Sequence, residues 1–380
     1  MQPDSLGTEL AALAATVIAA VVLGAVWGAA RGRARFLIRP VAVAACLATA
    51  AASGLVWANM QVDAYPTWSS LVDSSTGADA PPADTVATSS TGGRIVTVPV
   101  TGRASGLTLP MYVYLPPGYG DDTTTRYPVI EALHGYPGSP LQWFGKLNGI
   151  SIINQEIAAG RMAPTVLVFP YQTPTPSLDT ECTNLVGGPQ TETFLTVDVP
   201  AAVRARYRVR TDTAGWGLIG FSAGGYCATD LALRHPQEYA AGASLSGYAS
   251  PGIHVGNGTE NTLYNDLWRL KHLPVPAVAL YLTCARIDVG PLRQTMALAH
   301  AARAPLSVTT SYINGGGHNA QTWQAMEAPA FDWLSNTLGR PITQANAAAP
   351  APAVTTETAG QLTGNRTTTT APPSGGPLRR

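Results

Sequence analysis

Five residues, Gly220-Phe221-Ser222-Ala223-Gly224, restrict the fold of this chain more than any other segment. The apolar, β-prone run at 216–219 precedes them, and residues 225–234 carry helical patterning that stops before Pro236. A G-x-S-x-G between a strand and a helix sets its serine on a sharp turn, with the hydroxyl projecting above the end of a sheet. Gly220 and Gly224 are then required because side chains there would collide with the neighbouring strand and helix. Read blandly, the segment is a glycine-rich turn with an incidental serine.

The surroundings favour the first reading. Short apolar runs at 95–100, 111–115, 129–133, 166–169, 216–219, 243–245, 278–283 and 308–313 predict strands. Helical patterns at 150–159, 194–207, 225–234, 263–270, 292–302 and 323–337 fall between or after them. Apolar strands separated by helices predict an α/β domain over residues 94–340, a mostly parallel sheet with helices on both faces. The first two strands have no helix between them and are expected to pair as an antiparallel edge.

Ahead of this domain the chain is nearly free of charge. Residues 10–30 form an uncharged apolar run about 32 Å long as a helix, enough to cross a bilayer core, and a second, alanine-rich run covers 41–58. Arg31, Arg33, Arg35 and Arg39 lie between them, whereas the flanking segments carry only acids: Asp4 and Glu9 before, and Asp63, Asp73, Asp79 and Asp84 after. Basic loops stay cytoplasmic, so residues 1–60 are expected to be a two-helix anchor in the cell membrane that leaves the main domain outside. A cleaved signal peptide is the alternative, but its basic residues would come before the apolar run. Gly24 and Gly28 make a GxxxG that means little in so Ala/Gly-rich a segment. Residues 61–93 read as a flexible linker, and residues 341–380, with six prolines and nine threonines, as a disordered tail. Bases and acids balance at 23 each, which excludes an electrostatic nucleic-acid binder. No CxxC or Cys/His spacing asks for a metal, and nothing in the sequence asks for a cofactor.

A serine hydroxyl needs a base to take its proton. Of six histidines, His318 sits in the loop Gly315-Gly316-Gly317-His318-Asn319, between the last predicted strand and the last helix. His235 and His300 fall near helix ends, His254 and His272 lack a motif, and His134 reads as structural. An imidazole acting as base needs a carboxylate to fix its tautomer. Asp288, just past the strand at 278–283, is the first choice, with Asp266 and Glu260 as rivals. The order Ser222, Asp288, His318 matches nucleophile, acid and base in α/β-hydrolases. Oxyanion donors would be the backbone N–H of Ala223 and one from His134-Gly135-Tyr136-Pro137-Gly138, with Tyr136 ahead of Gly135, since Pro137 has none.

PPGY at 116–119, YPVIEALHG at 127–135, GFSAGG at 220–225, RHP at 234–236 and GGHN at 316–319 together resemble the esterase D/antigen 85-type family. The resemblance spans about residues 94–338. It implies an α/β-hydrolase fold and acyl-ester chemistry, with Ser222 as nucleophile, His318 as base, and Ala223 and Tyr136 as oxyanion donors. Mycolyltransferases of the family place a glutamate where this chain offers Asp288, as esterase-like members do. The expected activity is that of a serine esterase or acyltransferase on an acyl-ester substrate, with water or a lipid or cell-envelope glycan hydroxyl as acceptor. Mycolyl transfer, a non-catalytic wall- or partner-binding relative, and a peptidase are the other readings. Cys182, Cys227 and Cys284 fall in the main domain, and a Cys182–Cys227 bridge would brace a loop over the site. Three buried thiols are the alternative.

Overall fold

The computed structural model describes residues 5–62, 68 and 92–343. Two helices open the chain, α1 (Leu6–Ala29) and α2 (Arg35–Val62), and they pack on one another. Both are long and apolar enough to cross a membrane. Side chains such as Val17, Ile18, Val21, Leu47 and Leu55 point outward with no core to cover them, a surface that water disfavours. An added Cβ at Gly24 or Gly28 would meet nothing within 4 Å, so the GxxxG makes no close helix contact.

The second helix is longer than the apolar run at 41–58 predicts, and the connection is correspondingly shorter. Arg35 and Arg39 belong to the first turns of α2 rather than to a loop. Arg39 remains there because its Nη2 donates to the carbonyl oxygen of Trp27 at 2.7 Å and its guanidinium lies over the Trp27 ring at 4.7 Å. The linker expected at 61–93 lies mostly outside the described residues, as does the tail beyond residue 343.

The main domain is one eight-stranded sheet plus a two-residue ribbon. Its strands are β1 (Arg94–Thr101), β2 (Thr108–Leu115), β4 (Val129–Leu133), β5 (Val166–Pro170), β6 (Trp216–Phe221), β7 (Ala241–Leu245), β8 (Ala279–Ala285) and β9 (Ser307–Ile313). The order is β1-β2-β5-β4-β6-β7-β8-β9. β1 and β2 pair antiparallel, β2 pairs antiparallel with β5, and every remaining pair is parallel. Helices α3 (Gly149–Ala158), α4 (Val199–Arg206), α5 (Ala223–Arg234), α6 (Asp266–His272), α7 (Val289–Ala301) and α8 (Ala320–Leu338) make the crossovers and the final cover. β4, β5, β6 and β7 are buried along their whole length, which is why they read as unbroken apolar runs. β9 is an edge strand and keeps Thr309 and Thr310 exposed.

Element ends follow caps rather than apolar periodicity. Asn319 accepts from the N–H of Thr322 at 3.1 Å and starts α8 ahead of residue 323, whereas Asn265, accepting from Trp268, delays α6 past residue 263. The stretch predicted over 194–207 starts at Thr191 and widens into a π turn at Phe194–Asp198 before α4. Pro200 supplies no N–H at that join. The domain also runs past residue 340: β10 (Ile342–Thr343) pairs antiparallel with β3 (Thr125–Arg126), so the predicted tail begins only after it.

One core residue departs from the apolar pattern. Glu131, in the middle of β4, is fully buried, and burial pushes its carboxyl up to about 8. Its Oε2 lies 2.9 Å from the Tyr239 hydroxyl, which has only one hydrogen and also lies 3.1 Å from the carbonyl oxygen of Leu195. A protonated Glu131 donating to Tyr239, with Tyr239 donating to Leu195, satisfies both contacts. A carboxyl raised in this way contributes stability that is complete below its unfolded value, near 4.3, and is lost as pH rises through about 8. The thermal midpoint is therefore expected to fall between pH 5 and pH 8. Glu131→Gln should flatten that fall by about 1.4 kcal/mol per pH unit; an unchanged slope in a melting series would show the carboxyl to be ionised.

Candidate active site

Parallel strands place their C-terminal ends along one rim of the sheet, and four segments converge there: the turns after β4, β6 and β8 and the loop after β9. At the first residue beyond β6, Ser222 adopts φ 54° and ψ −121°, a left-handed conformation unusual for a residue with a Cβ. Its N–H donates to the carbonyl oxygen of Leu245 at 3.0 Å, and its own carbonyl accepts the N–H groups of Gly225 and Tyr226. The turn is as tight as the sequence implies. A Cβ on Gly220 would stand 2.0 Å from the carbonyl oxygen of Gly224, and one on Gly224 would stand 2.3 Å from that of Leu133.

His318 and Asp288 meet Ser222 at this rim. Ser222 Oγ lies 2.8 Å from His318 Nε2, and His318 Nδ1 lies 2.7 Å from Asp288 Oδ2. Asp288 immediately precedes α7 but does not cap it, leaving its carboxylate for the imidazole. The His318 loop is tied to α8 by the N–H of Gly317 donating to Thr322 Oγ1 at 2.8 Å. With Nδ1–H directed at a carboxylate, the Nε2 lone pair faces the serine proton. The rivals are engaged elsewhere: Glu260 pairs with His254 at 3.1 Å, and Asp266 is fully buried at the start of α6.

Ala223 is the first residue of α5, so its N–H precedes the helix's own hydrogen-bond ladder. The chain at 134–138 lies alongside: a Cβ on Gly135 would come 3.4 Å from that of Ser222, and Tyr136 lines the cleft beside this serine. His134 holds this segment in place. Its Nδ1 contacts the carbonyl oxygen of Gly135 at 2.7 Å, Gln172 N–H donates to its Nε2 at 3.4 Å, and Gln172 Nε2 donates to its carbonyl oxygen at 3.0 Å. Burial pulls its pKa down to about 4, so the ring is neutral. Cys182 and Cys227 are joined by a disulfide that ties α5 to the loop after β5. Cys284 is a buried free thiol.

Sequence reasoning missed Tyr248. Its hydroxyl lies 3.2 Å from His318 Nε2 and also contacts Ser222. Burial raises its pKa, so it remains a donor. On the other side, Trp323 presents its ring to the imidazole edge-on at 5.0 Å and stacks on Phe221 at 4.9 Å. A cleft of about 300 Å³ opens beside Ser222, lined by Tyr136, Gln142, Lys146, Leu147 and Trp323 among others. Among the described residues no group of three or more His, Cys, Asp or Glu side chains is disposed to hold a metal ion.

A sheet of this order with a serine on the turn after β6 defines an α/β-hydrolase. The chain belongs to the Putative esterase family, whose model matches residues 104–336. It is similar to an uncharacterized protein of Corynebacterium glutamicum, 26% identical over 269 residues; the match covers 65% of this chain and 63% of that relative's length. Among solved structures, a ferulic acid esterase superimposes with TM-score 0.56 at 20% identity, over 64% of this chain and 98% of its own. An S-formylglutathione hydrolase from Agrobacterium tumefaciens gives 0.57 at 14% identity, over 68% and 100%. A fluorophosphonate-binding serine hydrolase from Staphylococcus aureus gives 0.52 at 15%, over 64% and 99%. These three share the fold.

The packing around Ser222 leaves no room for a larger residue at Gly224, because the clash is with backbone that cannot rotate away. Gly224→Ala is expected to cost about 3 kcal/mol through overpacking and to lower the melting midpoint by about 6–12 °C. A midpoint within a degree or two of the parent would mean that the turn is looser than these distances allow.

Proposed function

We propose that this chain is a membrane-anchored serine esterase, with its catalytic domain outside the cell membrane, that forms an acyl-enzyme on Ser222 and releases it to water or to an acceptor hydroxyl. The observation that carries this reading is the hydrogen-bonded series from Ser222 Oγ through His318 to Asp288 at 2.8 and 2.7 Å. In the first half-reaction His318 Nε2 takes the Ser222 proton as Oγ attacks the ester carbonyl. The carbonyl oxygen becomes an oxyanion that the N–H groups of Ala223 and Tyr136 stabilise. The imidazolium, held by Asp288, then protonates the departing alcohol. In the second half-reaction His318 deprotonates the incoming hydroxyl, which attacks the acyl carbonyl and frees Ser222. Tyr248, beside the same Nε2, is placed to orient that hydroxyl.

The size of the cleft favours compact acyl groups. About 300 Å³ is the small end of the range for ligand pockets and suits a short or aromatic acyl group better than a long mycolic-type chain. The anchor reading rests on the two apolar N-terminal helices, on Arg31 and Arg33 in the turn between them and on Arg35 and Arg39 in the first turns of α2, which favour a cytoplasmic turn and an outward domain.

A fluorophosphonate probe should label the full chain and fail to label Ser222→Ala, with loss of nitrophenyl acetate hydrolysis in the same variant. Labelling that survives the substitution removes Ser222 from the role. Asp288→Asn keeps the shape but favours the wrong imidazole tautomer, so kcat should fall by about 10³–10⁴-fold with the fold intact. A loss of less than tenfold in steady-state hydrolysis would assign the acid elsewhere.

A further inference from the structure

At the opposite end of the sheet, four arginines line one concavity. β1 starts at Arg94, opposite Leu115 at the end of β2, and β2 is antiparallel to β5. Arg94 therefore lies at the N-terminal rim of the parallel strands, the rim remote from Ser222. Arg126, ahead of β4, and Arg206 and Arg208, at the end of α4, join it around a pocket of about 410 Å³ that also includes Tyr119 and Tyr207.

The pocket gathers positive charge that no carboxylate among the described residues meets at ion-pair distance. None of the four arginines forms an ion pair with an Asp or Glu among the described residues, although Arg161, Arg204, Arg210 and Arg234 all do. Two are fixed in place. The Arg208 guanidinium lies over the Tyr119 ring at 4.1 Å and donates to the Tyr119 carbonyl oxygen, while the Tyr119 hydroxyl accepts the Arg208 N–H at 2.8 Å. Arg126 Nη1 donates to the carbonyl oxygen of Val209 at 3.4 Å. Arg94 and Arg206 are exposed at the mouth. Gathering four guanidiniums without a counter-charge is unfavourable unless an anion binds, and the planar guanidinium fork suits phosphate oxygens.

We infer that this arginine pocket binds the phosphate group of anionic phospholipids, docking the domain on the bilayer that holds its own N-terminal helices. The choice of a lipid over a soluble phosphate follows from chain connectivity. The segment arriving from α2 enters the domain at Arg94, so the pocket lies at the end of the domain where the chain joins, and docking there would turn the Ser222 rim away from the membrane. The inference rests on the membrane reading of α1 and α2, but not on the catalytic one.

Hydrogen exchange on the full chain in lipid nanodiscs tests it. In discs with a third phosphatidylglycerol, amides of residues 116–126 and 204–210 should exchange several-fold more slowly than in pure phosphatidylcholine discs. Arg94→Glu combined with Arg206→Glu should abolish the difference while leaving fluorophosphonate labelling unchanged. Equal protection in both lipids would overturn the inference and point to the acidic tether as occupant; equal exchange without protection would overturn it outright. Protection by inorganic phosphate in detergent that matches the anionic discs would assign the pocket to a soluble phosphate instead. Retention of the chain in membranes through an alkaline carbonate wash reports on the helices alone and separates failure of the anchor from failure of the pocket.

Discussion

The backbone at Ser222 constrains the rest of the domain. A residue with a Cβ at φ 54° is unfavourable on its own and persists only where its surroundings over-determine it. Here the carbonyl of Leu245 takes the N–H, α5 takes the carbonyl, and two glycines let β6, β4 and α5 approach at backbone contact. α5 is buried from Ala223 to Leu233. The same device recurs one strand over. Ser246 follows β7 at φ 54°, and its N–H donates to the carbonyl oxygen of Thr283 at 2.8 Å. That second turn carries Tyr248 to the imidazole. Two adjacent strands thus end in left-handed serines whose turns aim one hydroxyl each at His318.

The far end of α5 is fastened by charge rather than by close packing. Arg234 Nη2 meets Glu192 Oε1 at 2.7 Å, His235 Nε2 meets the same oxygen at 2.7 Å, and the Tyr264 hydroxyl donates to Oε2 at 2.7 Å. The RHP motif therefore fixes the helix behind the nucleophile to the segment that starts at Thr191. Glu192 remains ionised because these partners outweigh the burial that opposes its charge. Glu131 and Glu181, each buried without a cation, are instead pushed up to about 8. Among these three glutamates the two outcomes follow from one desolvation cost, offset at Glu192 by its partners and not offset at Glu131 and Glu181.

Most of the sheet was legible because a strand buried on both faces is written in consecutive apolar residues, as at 129–133 and 216–219. The positions of Ser222, Asp288 and His318 were legible for a related reason: each follows a readable strand, so the parallel topology brings them to one rim. Tyr248 was not legible. It follows a strand too, but its Ser-Gly-Tyr setting has no signature, and its nearness to His318 depends on the backbone turn at Ser246. Helix starts were misread wherever an asparagine cap, at Asn265 or Asn319, set the boundary instead of the apolar stripe. The arginine pocket was invisible because its members are scattered from residue 94 to residue 208, and they meet only through the pairing of β1 with β2 and the bridge between Tyr127 and Val209.

The cleft and the His318 imidazole share a wall. Trp323 stacks on Phe221 at 4.9 Å, and Phe221 in turn meets the buried Trp143 at 5.3 Å, so the two aromatic rings that line the cleft continue into the core. The same Trp323 ring supports the edge of His318 at 5.0 Å. Widening the cleft on this side would displace the ring that also packs against the imidazole. Close-packed interiors do not deform gradually, so the width of the cleft and the setting of the His318 ring are linked through one side chain.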